Sequence, residues 1–148
     1  RGPMENAEFA ALVLLVQDWD EIAPWLIEQL FDDDANRMAF VAMAEAGGDL
    51  QQALEVAAPD AREVLERAAV ADLNLQPDVE ARTLIGAAAR RELTAHARLS
   101  DPAAIEEDRA ARLDIDALND TDRARALAAA ESLLGWLDRR TGERTGGG

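Results

Sequence analysis

The sequence predicts an all-α protein, and three observations predict it. Alanine, leucine, glutamate and arginine, all strong helix formers, dominate the composition. The β-branched residues never gather into the alternating run of a half-buried strand. Aspartate, serine or proline stands ahead of most apolar-periodic segments, where helices begin. With 148 residues the chain is long enough for one domain with a core, or a domain plus a small appendage.

In the first helix Phe9, Leu12, Val13 and Val16 fall at i, i+3, i+4 and i+7, and Leu14 and Leu15 make it apolar almost all round. Such a helix belongs in the middle of a bundle. A second is expected from about Asp20, tolerating Pro24 in its first turn and carrying Ile22, Leu26 and Leu30 on one side, with Trp25 beside them.

Next comes the run Asp32, Asp33, Asp34. Three adjacent carboxylates could be half of a metal site, an acid–base pair or the opening of a helix. At a helix start, aspartate accepts from free backbone N–H groups and faces the positive end of the macrodipole. The following helix, with Phe40, Val41 and Ala44 on one face, fits that capping role, and the lone histidine is far off in sequence.

Gly47 and Gly48 can supply the left-handed backbone that ends this helix, and Asp49 then caps the next, which presents Leu50, Ala53, Leu54 and Ala57. Pro59 opens a fifth helix with Val64, Leu65 and Ala68 inward. "DLNLQPD" breaks the pattern, and Pro77 opens a long sixth helix. A cap at Ser100 or Asp101 begins a seventh, with Ile105, Ala111, Leu113, Ile115 and Leu118 as its scattered apolar groups. After the tight break "NDTD" the last helix runs "RARALAAAESLLGWLDRR". Two helices joined so briefly should lie antiparallel. The expected organisation is a five-helix bundle over residues 5–76, a long connecting helix over 77–99 and a C-terminal helical hairpin over 100–141. One continuous bundle is the competing arrangement. Residues 1–4 read as a tag remnant and 142–148 as a flexible tail.

Cysteine is absent, which removes disulfides, thiolate ligands and thiol nucleophiles, and a reducing cytoplasm is the expected setting. The longest apolar stretch, "FAALVLLV", is too short to span a bilayer. All fifteen basic residues are arginine and the formal net charge is −15. Up to Asn74 there are 4 arginines against 16 acids, a balance of −12, so the excess lies in the first half. A surface this acidic repels phosphate backbones, which argues against direct nucleic-acid binding and leaves solubility, or a basic or apolar partner, as its use.

Glu92 and His96 share a helix face at i, i+4, but a di-iron bundle would need further carboxylates and a second such pair. Glu106, Glu107 and Asp108 read as a solvated face, and "AGGDL" lacks the lysine of a phosphate loop. No catalytic residue, metal ligand or cofactor is assigned. An enzyme with a helical carboxylate site is the least favoured class.

On a helical wheel with Leu127 at zero, Ala130, Leu134 and Leu137 cluster within about 80° and should pack inward, while Leu133 and Trp136 point away. A tryptophan on the outside of a two-helix arm, flanked by arginines, is a frequent interface anchor. Leu118, Leu133, Trp136, Leu137, Arg139 and Arg140, around this tryptophan, are the expected docking residues.

The stretch "EQLFDDDANRMAFVAMAEAGGDLQQALEVAAPDAREVLERAAV" resembles the C-terminal domain of DnaG-type bacterial primases. The residues that carry the resemblance are Leu30, Phe31, Asp33, Arg37, Phe40, Gly48, Asp49, Leu50, Leu54 and Leu65. "LIGAAARRELTAHARL" is similar to the family's long helix, and "AAAESLLGWLDRR" to its terminal segment. The resemblance implies a monomeric, non-catalytic module that docks on a hexameric DnaB-type replicative helicase and brings primer synthesis to the fork. Some family members also hold the acidic tail of single-strand binding protein in a basic pocket. The net charge of −15 argues against that here, although Arg82, Arg90, Arg91 and Arg98 could form a local patch. The alternative is an oligomerising helical domain of another replication protein, such as a helicase N-terminal domain.

Overall fold

The structure is a computed structural model that describes residues 3–95 and 102–146, with side chains placed for 7–95 and 102–140. Its helices are α1 (Pro3–Gln17), α2 (Trp19–Ile22), α3 (Asp34–Glu45), α4 (Leu50–Val56), α5 (Pro59–Val70), α6 (Pro77–Ala95), α7 (Pro102–Ala117) and α8 (Arg123–Gly146), and no strand occurs among the described residues. None of these helices is long and apolar enough to cross a membrane. The chain forms two compact units, residues 1–84 and 85–148, and α6 contributes to both.

In the first unit α1 packs against α3 and α5, and α3 against α5. Ala10 through Leu15 are all buried, so α1 is enclosed on every side, as its unbroken apolar composition requires. Gln17, at the end of α1, donates its side-chain amide to the carbonyls of Ala68 and Ala71, at 2.9 and 3.0 Å. The Ala68 carbonyl also takes the Ala71 N–H, at 3.4 Å, so Gln17 fastens α1 to the end of α5. Phe31 and Phe40 stack with ring centroids 5.2 Å apart.

The segment expected as one helix from Asp20 is not one. It divides into the single turn α2 and two 3-10 turns, Ala23–Trp25 and Glu28–Leu30, joined by extended backbone at Leu26 and Ile27. Pro24 has no N–H to continue the ladder of α2, and its ring crowds the preceding turn. Ile22, Leu26 and Leu30 are buried nonetheless.

The aspartate run begins α3 as its sequence implied. The Asp33 side chain accepts from the Asn36 N–H at 3.0 Å, and Asp34 lies in the first turn, paired with Arg37. A residue from another helix completes the arrangement. Glu8 of α1 is 2% exposed and accepts from the backbone N–H groups of Asp32 and Asp33 and from the Asn36 side-chain amide. α3 buries Asn36, Ala39, Phe40, Ala42 and Met43, while Val41 is half-buried and Ala44, expected inward, is exposed.

At the other end of α3, Gly47 donates to Ala44 and Gly48 to Met43, the paired bonds of a Schellman motif. Both glycines have positive φ, 63° and 92°. At Gly48 a Cβ would lie 2.8 Å from the Trp19 ring, so this position needs glycine for space as well as for backbone. Asp49 then caps α4 by accepting from Gln52 at 3.2 Å. Pro59 occupies the first turn of α5, which buries Ala61, Val64, Leu65 and Ala68.

The second unit begins in the second half of α6 and includes α7 and α8. The expected cap at Ser100 or Asp101, and His96 and Arg98, lie outside the described residues. α8 continues to Gly146, past the expected start of a tail at residue 142, and α1 begins at Pro3, inside the stretch read as a tag remnant.

Candidate docking surface

α7 and α8 follow one another across residues 118–122 and pack side by side. Two aspartates organise the turn: Asp120 accepts from the Asp122 N–H at 2.7 Å, and Asp122 from the Ala124 N–H at 3.0 Å. Asp114 faces Ser132, whose hydroxyl donates to it at 2.8 Å, and Asp108 faces Arg140. α7 and the residue that follows it bury Asp108, Ala111, Ile115 and Leu118, a two-position stripe per heptad. α8 buries Ala126, Ala129, Ala130, Leu133, Trp136, Leu137 and Arg140, a broader stripe with alanine at its turn-proximal end. Leu118 also reaches back to α6, where its Cδ1 lies 3.2 Å from the position a Gly86 Cβ would take.

This burial corrects the expected orientation of α8. Leu133 is 0% and Trp136 5% exposed, and Leu118, Leu137 and Arg140 are buried with them. Of the six expected docking residues only Arg139 is exposed. Leu127 is only half-buried, and the face that α8 buries is rotated about 80° from the one that Leu127, Leu134 and Leu137 mark. The centre of the buried face is Leu133, flanked by Ala126, Ala129 and Ala130, small residues that allow close helix approach but carry little weight in a hydrophobic pattern. The large apolar groups that α7 does expose are Ile105 and Leu113.

Arg140 is the hub of the buried polar cluster. Its Nη1 lies 3.1 Å from Asp108 and 3.7 Å from Glu107, its Nε 3.7 Å from Glu92, and its guanidinium sits 5.1 Å from the centroid of the Trp136 ring. Asp108 is thus no part of a solvated face: it is buried against the arginine, with only Glu106 and Glu107 exposed. Neither the Trp136 indole N–H nor Arg140 Nη2 has a hydrogen-bond partner among the described residues.

Two concave surfaces flank this core. A trough of about 570 Å³ runs between α7 and α8, with Ala110, Ala111, Ala128, Gly135 and Trp136 along it. Glu107, Asp114 and Glu131 edge it, with Arg139 at one end. Between α6 and α7, Arg90 and Arg112 flank a second hollow floored by Leu93 and Ile115 and closed by Asp116. Of the expected basic patch, Arg90 lies at this hollow, while Arg82 is engaged with Asp78 on its own helix. Among the described residues no group of histidine, cysteine and carboxylate side chains is arranged to hold a metal ion. No family model, curated protein or solved structure matches the chain.

Proposed function

We propose that this chain is a helicase-docking domain of a DnaG-type primase, with a helical bundle, a long connecting helix and a C-terminal hairpin that presents the partner surface. One observation carries the reading. The positions of the resemblance converge on the two ends of α3 and its neighbours instead of being scattered over the surface. Leu30, Phe31, Phe40 and Leu65 are buried, Phe31 stacks on Phe40, Asp33 and Asp49 cap α3 and α4, and Gly48 lies under Trp19. A shared motif whose members build one packing unit is a stronger pointer than the same letters spread at random.

The docking epitope is accordingly the outer surface of the second unit, with Arg139, Ile105 and Leu113 accessible. Leu118, Leu133, Trp136, Leu137 and Arg140 contribute to binding by holding α7 and α8 in register. The hollow at Arg90 and Arg112 is the place where an acidic tail of single-strand binding protein would sit, should it bind. The domain works in the cytoplasm, as a monomer, and carries no active site of its own.

The test is co-elution of the full chain with the hexameric replicative helicase of the same organism on size exclusion, followed by calorimetry. A stoichiometric complex is expected. Independent elution of the two at micromolar concentration would remove the reading. A free chain that itself elutes as a ring would favour the oligomerisation alternative.

A further inference from the structure

The lining of the trough between α7 and α8 follows a helical repeat. It takes residues 107, 110, 111 and 114 from one helix and 128, 131, 132, 135, 136 and 139 from the other. From Ala128 to Arg139 this extends about 16 Å, the rise of three helical turns. A concavity of that length between two parallel ridges has the shape a third helix fills.

Its floor is made of small residues that the chain leaves exposed: Ala110, Ala128 and Gly135. Gly135 is the informative one. It lies in the interior of α8, where glycine is among the poorest helix formers. A Cβ there would meet only Arg139 Nη1, at 3.9 Å, which is ordinary contact. Nothing within the described chain demands glycine at this position, so its cost to the helix has no internal return. Close approach of an outside backbone would give it a use. The charges on the rim decide what approaches: Glu107, Asp114 and Glu131 outnumber Arg139, and a second copy of a chain with net charge −15 is repelled.

We propose that this trough seats a basic amphipathic helix of about three turns, with small or leucine side chains facing Gly135 and lysine or arginine facing Glu131 and Asp114. For the owner of that helix the proposal rests on the docking reading above. The chemistry of the helix follows from the trough itself.

The experiment uses the full, ¹⁵N-labelled chain and two synthetic helical peptides, one of lysine, alanine and leucine and one with glutamate in place of lysine. The lysine peptide should move the Gly135 amide and the Trp136 indole resonance and leave the Trp19 and Trp25 indoles in place. The glutamate peptide should move none of them. Glu131→Arg should weaken the lysine peptide by about tenfold, and Gly135→Leu should abolish its binding. Gly135→Ala, which adds one methyl group at contact distance, keeps the fold and should weaken binding to a lesser degree. The trough assignment falls if both peptides act alike, if neither moves these resonances, or if the free chain is a dimer with Gly135 at its interface. Helicase co-elution run in parallel separates the two ideas. Complex formation that Gly135→Leu leaves intact overturns the trough but not the docking. Peptide binding at Gly135 without a helicase complex overturns the docking but not the trough.

Discussion

The Glu8 carboxylate accepts a hydrogen bond from the Asn36 side-chain amide at 3.1 Å, joining the interior of α1 to the first turn of α3 across 28 residues of sequence. The same carboxylate takes the backbone N–H groups of Asp32 and Asp33, so a buried acid holds the aspartate loop in place. Glu8→Ala leaves these donors without their acceptor inside the protein and should destabilise the fold by about 2–3 kcal/mol. Glu8→Gln should also destabilise, by about 1–2 kcal/mol, because its NH₂ would face donors. Urea denaturation midpoints measure both. A wild-type midpoint in Glu8→Ala would show that the clamp contributes nothing.

Asp33 and Asp49 each accept one N–H at the start of a helix, from Asn36 and Gln52. Replacing either by alanine should cost about 1 kcal/mol, and by asparagine much less. Equal losses for alanine and asparagine would mean that charge, and not the cap bond, is what these positions need.

Gly47 and Gly48 separate two physical effects. Both have positive φ, but only Gly48 faces the Trp19 ring. Gly47→Ala should cost about 1 kcal/mol, the backbone strain alone. Gly48→Ala should cost more, about 3 kcal/mol, because a ring must also move. Trp19→Ala should recover the excess in a double-mutant cycle, so additive losses would exclude the contact as its source.

Arg140 is 7% exposed, with Asp108 at 3.1 Å and the Trp136 ring beneath its guanidinium. Arg140→Ala leaves the Asp108 carboxylate buried without this cation and should cost about 3–5 kcal/mol. Adding Asp108→Asn should restore part of the loss, and thermal melts of the single and double variants provide the comparison.

Trp136→Ala removes a nearly fully buried ring and should lower stability by about 3–5 kcal/mol. It is therefore a poor probe of docking. Leu113→Ala and Ile105→Ala, on exposed side chains, should leave the melting temperature within a degree or two of wild type. A Trp136→Ala variant with unchanged stability would place the indole at the surface after all.

Helix boundaries are legible in the sequence wherever one residue acts on its own backbone. Aspartate accepts from N–H groups three positions on, glycine reaches positive φ, and proline at a first turn gives up no hydrogen bond; none of these depends on what packs nearby. Asp33, Gly47, Asp49 and Pro59 could be read on those grounds, and the structure puts each at the expected helix end. The interruption after Ile22 could have been read from Pro24 as well, but a continuous apolar stripe concealed it.

Which way a helix faces is another matter, because partners distant in sequence decide it. Glu8 looks like one more surface acid until the aspartate loop and the first turn of α3 bring three donors to it. Asp108 looks solvated until Arg140, 32 residues on, meets it in the interior. The alanines of α8 point to no face until a neighbouring helix comes close enough to need them. By itself the sequence determined the helical class and most helix ends, since those follow from local backbone chemistry. Only the tertiary structure decided that Trp136 turns inward and Gly135 outward, because that rotation is set by close packing between helices.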